Sequence, residues 1–321
     1  MNNRPTTANQ HGYAVLEHRV MVRISGPGTD KFVQGQFSQH VDDVTPQQSR
    51  RAAASTPKGR AYCLTRLVRD QQDLLMDLDR ELSDATLGQL KKYLMLFRGT
   101  RMDVIEQARI IGLMGQEAAV AVAGDNAATL GSPGDVVATE NGYLIRIEDS
   151  AGALPRYEWW LPEGAAELPE ALPELTINDW NAASIAAGVP WLTPTTVEAY
   201  VPQMLNLQHL QGVHFKKGCY TGQEVIARMH FLGQLKKSLY RLAFTGCTQA
   251  PEAGSNLLAG DKKAGDVVNA VMTSDNGGEL LAVLRHDADK SALSLEGNDS
   301  CQFEVLDLPY PVPEREADPA S

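Results

Sequence analysis

Apolar and polar positions along this chain follow two periods, one of strands and one of helices. RVMVRISG at 19–26 has the β-branched content of a strand, and Gly26-Pro27-Gly28 punctuates it before a short helix expected around Asp30 to Gly35. RRAAAS and GRAYCLTRLV flank Thr56-Pro57-Lys58-Gly59, and DLLMDLD follows Asp70-Gln71-Gln72, which predicts an antiparallel meander. The clearest helical stripe is Leu87, Leu90, Leu94 and Phe97, with Ser83 expected as N-cap, Leu82 and Leu87 at the staple positions and Gly99 at the end. IGLMG and GYLIRIED then read as strands on either side of an Ala-rich segment, AAVAVAGDNAATL, suited to a helix. A Pro- and Glu-rich surface connection at 161–176 leads to a second readable helix. Thr176 caps it with Asp179 at the third helical position, and Ile177, Trp180, Ser184 and Ala187 share a face before Gly188 and Pro190 stop it. Beyond 235, SLYRLAFTG, GDVVNAVMTS, ELLAVLRHD, SALSLEG and CQFEVLDL, separated by Gly, Asn and Asp, predict a small β-barrel.

The expected class is therefore α+β. It divides into an N-terminal module at 12–102, a middle module at 103–234 and a barrel at 235–310, with flexible tails at 1–11 and 311–321. A chain of 321 residues, 43% apolar, is long enough to bury more than one core. MNNRPTTANQHG lacks the apolar stretch of a signal peptide, and no run approaches the ~18 apolar residues of a membrane span, so a cytoplasmic protein is expected. Cys63, Cys219, Cys247 and Cys301 are widely separated, which predicts reduced thiols and no structural zinc site, with all but Cys219 filling apolar strands.

Charge refines this picture. The net charge of -11 argues against broad nucleic-acid binding, yet residues 214–241 carry six bases against one acid and 50–69 carry six bases and no acid. If these stretches meet in space they form a cationic pocket for an anion; if not, they are solvated faces.

The basic stretch at 214–241 contains KKGCYTGQE. Thr221-Gly222-Gln223-Glu224 has the form of a capping box, so a helix is expected to start there and run through VIARMH, with Arg228 and His230 near its negative end. Cys219 lies two residues before that cap, and Lys216 and Lys217 precede it. A helix N-terminus and neighbouring cations favour thiolate, the setting of a reactive cysteine. The competing reading is a small apolar residue held in a tight turn.

The stretch VPQMLNLQHLQGVHFKKGCYTGQEVIARMHFLGQLKKSLYRL resembles the signature region of the YgfZ family of folate-binding proteins. That family is related to the T protein (aminomethyltransferase) of the glycine cleavage system and to mitochondrial factors that help mature iron-sulfur proteins. The likeness extends to RISGPGTDKFVQGQFSQHVDDV, TPKGR, LKKYLMLFR and INDWNAASIAAGVP, and so covers most of 12–310. It implies an aminomethyltransferase-like fold, α+β modules and a C-terminal barrel around a central channel that accepts tetrahydrofolate. By the same resemblance Cys219 is the functional thiol, within a motif that includes Lys217, Tyr220, Gln223 and Glu224, and Trp180 contacts the pterin. Arg19 stands where some relatives carry an aromatic residue, and a guanidinium can stack on a ring as well. The T protein's aspartate has three candidate counterparts here, Asp77, Asp79 and Asp84.

The function implied is an accessory factor that binds tetrahydrofolate and uses Cys219 in maintaining iron-sulfur enzymes, among them enzymes that methylthiolate tRNA. The alternative is a folate-dependent aminomethyl or one-carbon transferase. Direct tRNA binding ranks last, because the basic stretches are poor in aromatics and the remainder is acidic. No membrane partner is expected.

Overall fold

The chain opens on a short strand, β1 (Gly12–Val15), whose partners lie far downstream, and the meander after it forms the first sheet. The computed structural model describes residues 10–164, 166–168, 171–233 and 235–312; most of the two expected tails, and residues 165, 169 and 170 of the Pro-rich connection, lie outside the described residues. β2 (Arg19–Ser25), β3 (Arg50–Ser55), β4 (Ala61–Asp70), β5 (Asp73–Asp79) and β6 (Arg101–Val104) pair in the order β3-β4-β5-β2-β6, all antiparallel. Helices α1 (Thr29–Gln36) and α2 (Arg80–Leu94) cover one face, and Phe32, Val33, Leu87 and Leu90 enter its core. Leu87, Leu90 and Leu94 lie on α2 as expected, but Phe97 falls in the turn after a helix that ends at Leu94, short of Gly99, and the cap is four residues earlier than Ser83. Asp79, the last residue of β5, accepts the Glu81 amide at 2.9 Å, whereas the Ser83 hydroxyl donates back to the Arg80 carbonyl. A strand that runs straight into a helix hands the capping role to its own final carboxylate.

The second sheet is β7 (Arg109–Met114), β8 (Val136–Thr139), β9 (Gly142–Ile147) and β10 (Arg156–Leu161) with β1, in the order β1-β7-β10-β9-β8. β10, RYEWWL, is buried at all six positions and has no alternation to mark it, so sequence periodicity passes over it. The Ala-rich segment yields α3 (Gln116–Ala123) and then a 3₁₀ turn from Gly124, where φ is +54°.

Next comes α4 (Ile177–Ala186), capped as the sequence predicts: Thr176 and Asp179 bond reciprocally. Apolar on almost every side, α4 is buried between the second sheet and the barrel, and only its first turn is open; Ile177, expected on the inner face, is 42% exposed. Trp180 packs so tightly against β7 that a Cβ at Gly112 would lie 2.6 Å from the indole ring, which explains a glycine in the middle of a buried strand.

A short helix, α5 (Gln223–Phe231), precedes the barrel. The barrel consists of β11 (Lys237–Thr245), β12 (Asn256–Ala259), β13 (Lys262–Ser274), β14 (Gly277–Arg285), β15 (Leu293–Leu295) and β16 (Gln302–Leu306), ordered β15-β12-β13-β14-β11-β16. The sheet curls until its edge strands touch. Cys247 and Cys301 depart from the expectation of reduced core thiols: they form a disulfide, with Cα atoms 5.1 Å apart. They are 54 positions apart in the chain, and only the pairing of β11 with β16 brings them together, a closure that spacing alone does not reveal.

Two outcomes test these contacts. Thiol titration of unreduced, denatured protein is expected to find two groups, Cys63 and Cys219; four would remove the disulfide. Gly112→Ala is expected to cost about 1–3 kcal/mol by overpacking, read as a lower urea midpoint, and an unchanged midpoint would show that Trp180 can shift aside.

Candidate functional site

The first and second sheets and α4 enclose a cleft whose walls come from β2, β3, β4, β5, α2, β9, β10 and α4, with the loop at 189–192. The space it encloses is about 110 Å³, opening to solvent at its mouth. Tyr62, Trp180 and Trp191 supply aromatic surface, and His18, Arg19, Arg51, Asp77, Asp79, Arg156 and Glu158 supply charge or hydrogen bonding.

Arg19 is the centre of this wall. Its guanidinium bonds Asp77 at 2.5 Å and Glu158 at 2.6 Å, joining the first sheet to the second. Arg51 makes a bidentate pair with Glu148, at 2.7 and 2.5 Å, across the same boundary. Arg156 has no carboxylate partner among the described residues: it donates to the Ala183 carbonyl and the Ser184 hydroxyl and lies over the Trp180 ring at 4.2 Å. Burial disfavours the charged forms of Glu148 and Glu158, but Arg51 beside the first and Arg19 beside the second outweigh it and hold both carboxyls down at about 2. Burial pulls Arg156 down to about 9 and His18 to about 4, so at neutral pH the imidazole is uncharged.

A second cavity adjoins the cleft and shares one lining residue with it, Arg51. Arg50, Arg66, Glu148, His209 and Tyr310 are among its walls.

The cysteine motif lies elsewhere. α5 begins at Gln223 with Gly222 as N-cap at φ +84°, and the expected capping box does not form: the Thr221 hydroxyl faces Gln36 Oε1 at 3.3 Å and Glu224 is exposed. A side chain at Gly222 would strike the Thr56 carbonyl, 2.6 Å from its Cβ position, so the motif docks on the β3–β4 turn through bare backbone. The two basic stretches thus meet at this contact, but without pooling their cations, since Arg51 and Arg66 turn inward to carboxylates.

Lys217 is buried. Its ammonium donates to the carbonyls of Gln34, Phe37 and Gln39 at 2.5–2.7 Å and sits 4.7 Å from the Tyr220 ring centroid. All three N–H donors are engaged, so Lys217 ties the loop to the end of α1 instead of facing the thiol, while burial pulls its pKa down to about 7. Tyr220 is 9% exposed, and its amide donates to Gln223 Oε1 at 3.3 Å. Cys219 is exposed and lines neither cavity.

Of the residues the sequence singles out, Trp180 and Arg19 share the cleft, whereas Lys217, Cys219, Tyr220, Gln223 and Glu224 cluster at α5. Asp77 and Asp79 both line the cleft, while Asp84 lies outside its lining. Sequence reading passes over Glu158, Arg156 and Trp191. A carboxylate inside the apolar run RYEWWL was the available signal for Glu158, because a charge is buried only where a partner awaits it.

A pH dependence follows from the two depressed carboxyls. Their folded values lie below the unfolded value of 4.5, so the stability they confer is complete above that value and is lost as pH falls through about 2. Urea unfolding is expected to show a midpoint that begins to fall below about pH 6.5, where His18 stays neutral in the fold but protonates in the unfolded chain, and then a further loss on the order of 3 kcal/mol per carboxyl as pH drops from 4.5 towards about 2. Glu158→Gln should flatten the acid limb; an unchanged limb would show that the Arg19 pair is not its source.

No family model matches the chain. Among curated proteins it is 31% identical over 308 residues to the "tRNA-modifying protein YgfZ" of Klebsiella pneumoniae (strain 342), covering 92% of this chain and 91% of that one. Among solved structures it is similar to the glycine cleavage system aminomethyltransferase T of Bartonella henselae, with a TM-score of 0.70 at 14% identity over 94% of this chain and 87% of that one. The fold is thus aminomethyltransferase-like, and with that degree of identity along nearly its whole length the chain belongs to the YgfZ family of tRNA-modifying proteins.

Proposed function

We propose that this protein binds tetrahydrofolate in the cleft and, through Cys219, supports the maturation or repair of iron-sulfur enzymes, including those that methylthiolate tRNA. The observation that carries the folate reading is the chemistry of the cleft wall. A pterin is a flat ring with a hydrogen-bond-donating edge, and here aromatic surface from Trp191 and Trp180 adjoins a buried carboxylate, Glu158, held in place by Arg19. Trp180 is 4% exposed, confined between Arg156 and Gly112, so the half-buried Trp191 is the better stacking surface. Arg19, engaged by two carboxylates, orients Glu158 and does not itself stack.

Cys219 acts on a partner from outside, because its turn is exposed and held at both ends, by Lys217 under α1 and by Gly222 on the β3–β4 turn. Such a thiol meets a client enzyme without passing the folate.

A transferase reading has one observation in its favour: Asp79 lines the cleft, and burial raises its carboxyl above the ordinary range, as suits a proton carrier. Incubation with a methylene donor and stoichiometric product analysis separates the two readings; turnover favours the transferase.

Tryptophan fluorescence titrated with tetrahydrofolate is expected to quench on binding, and Trp191→Leu should weaken affinity about fivefold to tenfold through lost stacking. Binding that is absent in the unmodified protein defeats the folate reading. In a deletion strain, Cys219→Ser is expected to leave tRNA methylthiolation unrestored while the folded protein still binds folate; full restoration would remove the thiol from the function.

A further inference from the structure

The second cavity carries more cation than its own carboxylates balance. Arg50, Arg51 and Arg66 line it, against Glu148 and Asp149. Asp149 is already paired with Arg146, which leaves Glu148 for three guanidinium groups. Arg51 takes both of its oxygens. Arg66 reaches Glu148 only at 3.5 Å, and it donates to the Ser49 hydroxyl at 3.1 Å. It is 3% exposed and its Nε–H has no acceptor among the described residues, which leaves a buried donor unsatisfied. Arg50 makes no ion pair among the described residues. A buried cation without a full complement of acceptors is costly unless an anion completes it.

The cavity is also shaped to hold something small. It encloses about 250 Å³, and the chain returns across it at Pro309 and Tyr310. Tyr310 stacks on His209 at 5.8 Å and its hydroxyl donates to the Gly188 carbonyl at 2.6 Å, so this wall is fixed.

We infer that this second cavity is an oxyanion site, built by Arg50, Arg51 and Arg66 for a carboxylate or phosphate group. Two sources share that chemistry. One is a free small oxyanion; the other is the carboxylate end of a ligand seated in the cleft, which could reach the cavity past Arg51, the residue both spaces share. The charge balance demands the anion in either case, and the site stands whether or not the cleft takes folate.

The test uses the full chain and two variants, Arg66→Met, which removes the buried cation, and Arg50→Gln, which alters only a half-buried residue and so guards against misfolding. Phosphate and citrate are titrated against chloride at constant ionic strength, with thermal midpoint and calorimetry as readouts. In parallel, tetrahydrofolate is compared with tetrahydropterin, which lacks the carboxylate tail. A free oxyanion site gives a raised midpoint with phosphate or citrate and about tenfold to hundredfold weaker binding in the variants, the range of a lost charge-assisted contact. A tail site gives the same weakening for tetrahydrofolate and none for tetrahydropterin. Both outcomes support the inference. It is overturned if no probe distinguishes either variant from the unmodified protein. If tetrahydrofolate fails to bind at all while phosphate or citrate binds and discriminates the variants, the folate reading falls and this site remains.

Discussion

The structure depends on carboxylates and guanidinium groups that pair directly across lobe boundaries. Arg19 holds Asp77 of its own sheet and Glu158 of the next, and Arg51 holds Glu148 in the same manner. Such pairs add little net stability when complete, because desolvation offsets their attraction, but removing one partner strands a buried charge. Their contribution is to relative position: two sheets already packed through a shared apolar core, with Met21, Val68 and Leu75 against Ile110, Ile145 and Trp160, are held in one register. The cleft between them is therefore preorganised, with its carboxylate already aimed before any ligand arrives.

Helix α4 completes that arrangement from the opposite side. It packs on the barrel and reaches the second sheet through Trp180 over Gly112, while its C-terminal turn accepts Arg156. The same helix is thus a packing element for two lobes and a wall of the cleft. The cysteine loop, by contrast, is attached by its backbone surroundings, through three carbonyls around one ammonium and a glycine against a turn, and the thiol stays free at the surface.

How much of this was legible follows from the range of each interaction. Local signals carried well: the meander and the Thr176–Asp179 cap arise from neighbours within a few residues and stand as read, and the stripe of α2 holds from Leu87 to Leu94 but not to Phe97. The T-x-x-E pattern failed because Gly222 is pressed against Thr56, a contact more than a hundred positions away in sequence that outcompetes the local cap. β10 was invisible since a strand buried on both faces loses its alternation, and with it went Glu158 and Arg156. The disulfide and the destination of Lys217 likewise depend on closures that only the folded chain makes. In the site, Trp180 and Arg19 could be named from the resemblance, but their partners could not.

Among the described residues the buried charges balance, four bases against four acids, so the excess of acids in a chain of net charge -11 lies on the outer surface. An anionic metabolite approaching from solution meets repulsion first and attraction only after entering, the reverse of electrostatic steering. Dissolved salt, by shortening the reach of that repulsion, would hasten the ligand's arrival while loosening its hold.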